Sequence, residues 1–365
     1  MPNPLLHKPP STQHRRVLAL FATGGTIAGI AQDTQSHVQY QAAALPVTAL
    51  LDAVPALQHL PAEIRAEQLL AKDSKDLDPE DWLRIAQAVD QALLEPDVAG
   101  VVITHGTDTL EETAWFLHRT LRPSRKPVVL VSAMRPATAL GADGPQNLLD
   151  ACCVALSQVT GVVCVAAGEV HRAETVQKLQ PYRIPAFGSG ECGPMAWVEE
   201  GRIAWPAYTA GAIHNSATDT TVGATSNDTA DSLVSRGRYH SLLNPGLQTP
   251  PPAVAWITSH AGFDARLVKA LQAAGFAGVV VAGTGNASLH HALETALDAV
   301  AASGMATAIT SRCAQGHIVV PSPAPSRHRH WALPAAKARI ELLMELWLRN
   351  ATQHTAGPAL AYNNC

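Results

Sequence analysis

The chain has 365 residues, enough for two or three domains at the usual size of about 150 residues each. Its net charge of −4 and its 15% of charged residues provide no basic face, which excludes a typical nucleic-acid-binding protein. The 47% of hydrophobic residues can form packed cores, but no apolar run reaches the roughly 20 residues of a membrane span.

Strand and helix patterns alternate through the first half of the chain. Apolar runs predict four buried strands, at Val17–Ala22, Val101–Ile103, Pro127–Ala133 and Gly161–Ala167. Helices are predicted from Asp78, over Glu111–Leu121 and over Gly144–Ser157, and a hairpin over Ala196–Trp205. Asp78 suits an N-cap and Pro79 the first helical position. This alternation indicates a parallel sheet that is covered on both faces.

The second half divides into a polar segment and a second alternating unit. Residues 210–252 are rich in small polar residues, glycine and proline, which is typical of a linker or insertion. Strands then alternate with helices in a compact βαβαβ unit, and Pro334–Leu348 forms a last amphipathic helix. We therefore predict an N-terminal tail (1–16), a larger N-terminal α/β domain (17–209), the linker or insertion (210–252) and a smaller C-terminal α/β domain (253–365).

The cysteines and the start of the chain bear on location. None of the six cysteines forms a C-x-x-C pair and most lie in apolar runs, which is typical of reduced core residues in an intracellular protein. Prolines interrupt the first ten residues, and the apolar run after them ends at Ala22, which is short for a signal peptide. We expect a soluble, cytoplasmic protein.

Two short segments are candidates for chemistry: Thr23-Gly-Gly-Thr-Ile-Ala-Gly29 and Thr104-His-Gly-Thr-Asp-Thr109. Each places a threonine in a small-residue loop directly after a buried strand, and parallel strands end at one edge of a sheet. A threonine hydroxyl needs a nearby base to act as a nucleophile. Two structural alternatives stay open, because Thr26 could be an ordinary turn residue and Asp108 with Glu111 could form a helix capping box.

These two segments resemble the signature segments of the bacterial-type L-asparaginase family. Further segments resemble the family in the right order: Asp73-Ser-Lys-Asp76, Ala133-Met-Arg-Pro136, Ala142-Asp-Gly-Pro145 and Ala282-Gly-Thr-Gly-Asn286. The resemblance extends from Val17 to about Arg349. It implies hydrolysis of the side-chain amide of asparagine through a threonine acyl-enzyme, with no metal or organic cofactor.

The resemblance also implies which residues act in catalysis. Thr26 matches the primary nucleophile, and Tyr40 matches the tyrosine that assists it. Thr107, Asp108 and Lys178 match a second catalytic group, in which a lysine held beside a threonine can act as a base.

Substrate-binding residues follow from the same resemblance. Asp108 matches the partner of the substrate ammonium, while Ser74 and main-chain donors near Gly25 and Thr107 match the partners of its carboxylate. Lys75 stands where some members have glutamine, and Ala133 matches a main-chain contact to the substrate amide.

The C-terminal part resembles the family less closely. The resemblance implies a homotetramer, a dimer of dimers in which each site receives residues from a neighbouring subunit's C-terminal domain. Ser288 fits one such residue. A glutamate is the other, but no Asp or Glu occurs between Ser311 and Trp331.

Three other functions are kept as alternatives. Within the family, the chain could be a glutaminase-asparaginase or act on a related amide. The missing acid also allows a non-catalytic amino-acid-binding protein. A nicotinamide-dependent oxidoreductase would use the glycine-rich first loop, but its glycine spacing does not fit G-x-G-x-x-G, and no tyrosine has a lysine four residues on.

Overall fold

The structure is a computed structural model that describes residues 16–33, 38–206, 236–247, 249–319 and 328–355. Two sheets with helices on their faces form the mixed α/β fold predicted from the sequence. The larger sheet is built from residues 17–204 and the smaller from residues 254–330. The predicted tail up to residue 15, and residues 210–235 and 248 of the predicted linker or insertion (210–252), lie outside the described residues. The domain boundaries stay a prediction.

The larger sheet has eight strands: β1 (Val17–Gly24), β4 (Glu63–Lys72), β5 (Val98–Thr104), β6 (Pro127–Val131), β7 (Gly161–Ala166), β8 (Glu169–Arg172), β11 (Ala196–Glu199) and β12 (Arg202–Ala204). Their order is β12-β11-β8-β7-β6-β5-β1-β4. Strands β4, β1, β5, β6 and β7 are parallel to one another. Strands β8, β11 and β12 each pair antiparallel with the preceding neighbour in the sheet. The predicted hairpin is β11 and β12.

Two short hairpins lie outside this sheet and contain Tyr40 and Lys178, two of the predicted site residues. They are formed by β2 (Ile30–Ala31) with β3 (Tyr40–Gln41), and by β9 (Gln177–Lys178) with β10 (Phe187–Gly188).

Helices cover both faces of the larger sheet. They are α1 (Val47–Asp52), α2 (Pro79–Leu94), α3 (Leu110–Thr120) and α4 (Gly144–Ala155). Successive residues of β1 enter different cores, since Ala19 and Phe21 pack with α2 and α3 while Leu20 packs with α1 and α4. This period of two explains why the strand reads as a continuous apolar run.

The smaller sheet is parallel and consists of β13 (Val254–Thr258), β14 (Gly278–Gly283), β15 (Ala306–Ser311) and β16 (Arg329–His330). Helices α5 (Arg266–Ala273) and α6 (His291–Ala302) pack on one face. The last helix, α7 (Ala335–Thr355), packs on the other face and also against α3. One core cluster therefore contains residues of both sheets, and α7 joins the two parts of the chain.

Two features differ from the sequence predictions. Strand β4 was not predicted, because it is an edge strand in which only Leu69 and Leu70 are buried and in which charged side chains stand among the apolar ones. Within the predicted linker, Tyr239, Leu242 and Leu243 are buried in the main core. The polar composition around these three residues hides their role in packing.

Within the described ranges, none of the helices is both long enough and apolar enough to cross a membrane.

Candidate active site

The two threonine loops meet at one edge of the larger sheet. Strands β1 and β5 are parallel neighbours, so the loops after them emerge side by side, as expected from the sequence. The Thr23 hydroxyl donates a hydrogen bond of 2.7 Å to the carbonyl of Thr104 and ties the two loops together.

A third segment, after β4, completes this contact. Gly25 has a φ of 80° and lies so close to Gly106 that a Cβ on Gly25 would come within 2.3 Å of the Gly106 Cα atom. A Cβ on Gly106 would come within 2.5 Å of the Ser74 hydroxyl. Glycine at both positions is therefore what allows the three segments to touch. Ser74 is buried, and its hydroxyl has no hydrogen-bond partner within the described part of the chain.

Thr26 is paired with Tyr40. Thr26 opens a 3-10 turn after β1 and is buried, and its hydroxyl oxygen lies 2.8 Å from the Tyr40 hydroxyl on β3. A Cβ on Gly29 would come within 2.9 Å of the Tyr40 ring, so the missing side chain makes room for the tyrosine. Either hydroxyl can donate, which allows a proton to pass between the two residues.

Thr107 is paired with Lys178, and Lys178 with Asp108. The Lys178 ammonium donates to the Thr107 hydroxyl at 2.8 Å and to an Asp108 carboxylate oxygen at 2.5 Å. The side chain of Lys178 is 16% exposed and that of Asp108 53% exposed, so the group opens towards solvent on the Asp108 side. Helix α3 begins after Thr109 without a side-chain cap. The capping-box alternative for Asp108 is therefore wrong.

The remaining candidates lie around this centre. Ala133 is buried after β6, and Gly144 at the start of α4 packs close to both Ala133 and Ile27. The Lys75 ammonium donates hydrogen bonds to the carboxylates of Asp73 and Asp76, and the bond that it donates to Asp73 is the main cause that raises the pKa of Lys75. The Lys75 ammonium is thus paired with the carboxylates of its own turn, and its predicted role in substrate binding stays a prediction.

Ser288 is placed differently from the other candidates. It is exposed after β14, where its main chain forms two hydrogen bonds of 2.8 Å with Thr284. Within the described residues, no hydrogen bond joins Ser288 to Thr26 or Thr107 of the same chain. Its predicted role, as a contribution to a neighbouring subunit's site, stays a prediction.

A buried histidine that the sequence analysis did not single out supports the second loop. His105 Nδ1 donates to the Gly106 carbonyl at 2.7 Å, because a carbonyl can only accept. Its Nε2 then accepts from the Thr113 hydroxyl at 2.9 Å, which itself accepts from the Trp82 indole at 3.0 Å. Burial lowers the pKa of His105 to about 4. The loop is thus held by a neutral, fully hydrogen-bonded imidazole.

This burial predicts acid sensitivity of the fold. Burial also lowers the pKa of His118 and of His171 to about 4, against about 6.5 in an unfolded chain. Between pH 6.5 and pH 4 these three histidines are protonated in the unfolded state but stay neutral in the folded state. Their contribution to the free energy of unfolding is therefore largest above pH 6.5 and falls towards pH 4. Each of the three histidines contributes up to about 1.4 kcal/mol per pH unit.

Urea unfolding between pH 7 and pH 4.5 measures this slope. We expect His118→Gln to reduce the slope by about one such contribution. His260→Gln, at an exposed histidine, is the matched control and should leave the slope as it is. Equal slopes in the wild type and in His118→Gln would contradict the prediction.

Comparison with known proteins gives two family matches that together span most of the chain. Residues 17–211 match the family model described as asparaginase, N-terminal, and residues 253–346 match the one described as glutaminase/asparaginase C-terminal domain.

Individual relatives and a solved structure agree with these matches. The chain is 34% identical over 303 residues to a probable periplasmic L-asparaginase of Haemophilus influenzae, covering 82% of this chain and 78% of the relative. It is 32% identical over 337 residues to a glutaminase-asparaginase of Pseudomonas fluorescens, covering 90% and 86%. The crystal structure of a probable cytoplasmic L-asparaginase from Campylobacter jejuni superposes with a TM-score of 0.77 at 30% identity, covering 91% of this chain and 95% of that one.

Proposed function

We propose that this chain, which belongs to the bacterial-type L-asparaginase family, hydrolyses the side-chain amide of L-asparagine to L-aspartate and ammonia through a threonine acyl-enzyme. One observation carries the proposal. On adjoining loops, two threonine hydroxyls each lie 2.8 Å from a group that can exchange a proton, Tyr40 for Thr26 and Lys178 for Thr107. A pair of activated hydroxyls suits a reaction with two acyl-transfer steps.

In the first step, the Thr26 oxygen attacks the side-chain carbonyl carbon of asparagine and transfers its proton through Tyr40. The C–N bond then breaks, the nitrogen leaves as ammonia with that proton, and an ester to Thr26 is formed. In the second step Lys178 acts as an amine: water attacks the ester carbonyl, and the proton of the water passes through the Thr107 hydroxyl to Lys178. That proton then returns to the Thr26 oxygen as the bond between this oxygen and the acyl carbon breaks, and L-aspartate is released.

Binding of the substrate uses the charges around the two threonines. An amino acid presents an ammonium and a carboxylate, and both need partners. Asp108 provides a partly exposed carboxylate for the ammonium. The buried Ser74 hydroxyl, unpartnered among the described residues, is available to the substrate carboxylate and lies beside Gly106, which in turn lies against Gly25. We assign main-chain donors of Gly25 and Thr107 to the same carboxylate. Ala133 offers its main chain to the substrate amide.

An ammonia-release assay on the purified chain with L-asparagine, L-glutamine and D-asparagine tests the proposed function. We expect L-asparagine to give ammonia and L-aspartate in equal amounts. If L-asparagine raises the melting temperature without releasing ammonia, the non-catalytic alternative is correct. Faster release from L-glutamine than from L-asparagine would instead favour the glutaminase-asparaginase.

The glutaminase-asparaginase is kept as a second candidate because of one specific observation. The segment between Ser311 and Trp331 has no acid, although the family resemblance implies a glutamate there. A site that lacks the carboxylate of this glutamate binds the substrate ammonium differently. Its preference between L-asparagine and the longer L-glutamine is then expected to change. The Pseudomonas fluorescens relative carries that double name.

We also propose that the active form is a homotetramer, as the family resemblance implies, and that it is cytoplasmic. Ser288 is exposed and, within the described residues, forms no hydrogen bond with Thr26 or Thr107 of its own chain, which supports a role towards a neighbouring subunit. The structural relative from Campylobacter jejuni is named as cytoplasmic, and the Haemophilus influenzae relative as periplasmic.

A further inference from the structure

A completely buried lysine of the last helix lies behind the active site. Lys337, in the first turn of α7, is 0% exposed, and its ammonium donates to the carbonyls of Glu174 at 3.0 Å and Val176 at 2.7 Å. Both carbonyls belong to the segment that leads into β9. An apolar side chain would avoid the cost of removing an ammonium from water, so a lysine here indicates a requirement for its charge or its hydrogen bonds.

A buried acid faces this lysine from the other side. Glu111, in the first turn of α3, has a carboxylate oxygen that is buried without a hydrogen-bond partner in the described chain. Burial raises the pKa of Glu111 and lowers that of Lys337, while the charge of each favours the charged form of the other. Glu174 and the Cys164 thiol of β7 also face Lys337.

This pair is connected to Lys178 by the main chain. Val176, which Lys337 holds, is two residues before Lys178. The main-chain N–H of Lys178 faces the Glu111 carboxylate, and this interaction lowers the pKa of Glu111. Thus Lys337 holds the chain just before Lys178, and Glu111 faces Lys178 itself.

We propose that Lys337 and Glu111 are positioning residues that hold β9 so that the Lys178 ammonium reaches both Thr107 and Asp108. The inference rests on the proposed function, because it assigns to the pair an effect on the step that Lys178 carries. It also gives the contact between α7 and α3 a catalytic consequence, since a residue of the C-terminal part then sets the geometry of a group in the larger sheet.

The same two helices provide a matched control. One residue after Glu111 and two after Lys337, Glu112 and Arg339 form an ion pair of 2.5 Å between α3 and α7. The Arg339 guanidinium lies over the Trp82 ring and, within the described part of the chain, donates to Glu112 and not to the segment 174–178. Arg339→Met therefore removes an interhelical charge pair without removing the hydrogen bonds of Lys337 to Glu174 and Val176.

The test compares steady-state kinetics of Lys337→Met, Glu111→Gln and Arg339→Met. Since a misplacement of about 1 Å can cost on the order of a hundredfold in rate, we expect Lys337→Met to lower kcat by about 10- to 100-fold and to change KM less than about threefold. Glu111→Gln keeps the shape of the side chain and is expected to lower kcat by about tenfold. Arg339→Met should keep kcat within about twofold of wild type.

The decisive measurement places the same substitutions in a Lys178→Met background, at enzyme concentrations high enough to follow the residual rate. Residues that act through Lys178 lose their effect once Lys178 is gone, so Lys337→Met should then change the rate less than about twofold. A merely structural role would lower the rate equally in both backgrounds, and that result overturns the inference. If Lys337→Met does not fold, the Glu111→Gln pair of variants decides in the same way.

A crystal structure of the Lys337→Met or Glu111→Gln variant separates this inference from the proposed function. We expect the Lys178 ammonium to move out of hydrogen-bond reach of Thr107. Unchanged Lys178 geometry overturns the inference even if the chain is an active asparaginase. If the wild-type chain releases no ammonia from any amide while Lys178 does move in the variant, the proposed function fails and the positioning role holds.

Discussion

Thr26→Ala is expected to lower kcat for ammonia release from L-asparagine by at least about a thousandfold, because the substitution removes the attacking oxygen itself. The fold should be retained. The side chain of Thr26 is small, and the turn around it is held by main-chain bonds, including 2.8 Å from the Gly29 N–H to the Thr26 carbonyl. Rates and far-UV circular dichroism of the same preparation measure both expectations.

Thr26→Ser is the matched control for this prediction. It keeps the hydroxyl 2.8 Å from Tyr40 and removes only a methyl group, so measurable turnover should return. Mass spectrometry of enzyme quenched during turnover of a slow amide should find the acyl group on the peptide that contains Thr26. An acyl group on the Thr107 peptide, or wild-type turnover of Thr26→Ala, would show that the roles of the two threonines are assigned the wrong way round.

Thr107→Ala is expected to have nearly as large an effect, about a thousandfold in kcat. The reason differs from that for Thr26. Removing the Thr107 hydroxyl leaves the Lys178 ammonium with Asp108 as its remaining hydrogen-bond partner in the group, and no hydroxyl then connects the lysine to the reaction. Single-turnover kinetics should show that Thr107→Ala slows hydrolysis of the acyl-enzyme, with substrate binding and acyl-enzyme formation retained.

Non-additivity provides the control for Thr107. Because Thr107 and Lys178 are in direct contact, the double variant Thr107→Ala/Lys178→Met should be about as slow as the slower single variant. Thr107→Ser should recover part of the rate, since it keeps the hydroxyl beside Lys178. Independent, multiplicative losses in the double variant would mean that the two residues do not act as one group.

Much of the fold could be predicted from local patterns. The strands β1 and β5 were recognised from their apolar runs, and the start of α2 from Asp78 and Pro79, where the structure has a capping box with Asp81. Strand β4 was missed, because its pairing with β1 is a long-range contact and its charged residues interrupt the continuous apolar run that marks the buried strands. The packing of Tyr239 into the main core also depends on long-range contacts, so the polar composition of its segment does not predict it.

Lys337 and His105, which support the site, also show what local sequence patterns can indicate and what they cannot. Lys337 carries a signal that could have been noticed, since it stands three and seven residues before Ile340 and Met344 and so lies on the apolar face of α7. The pattern can indicate that such a lysine is buried, but not which carbonyls it bonds. For His105, a single polar residue after an apolar strand gives no comparable signal.

The sequence by itself determined that two threonine loops follow buried strands and that their chemistry resembles an amide hydrolase. Such features depend on residues that are close in the chain. Their periodicity and glycine content can be recognised without knowledge of the tertiary structure. The family resemblance already names Tyr40 and Lys178, but only the tertiary structure decided that they lie 2.8 Å from the hydroxyls of Thr26 and Thr107, 14 and 71 residues away in the chain. A hydrogen bond depends on distances of a few tenths of an ångström, and those are set when the sheet, the hairpins and the last helix pack together.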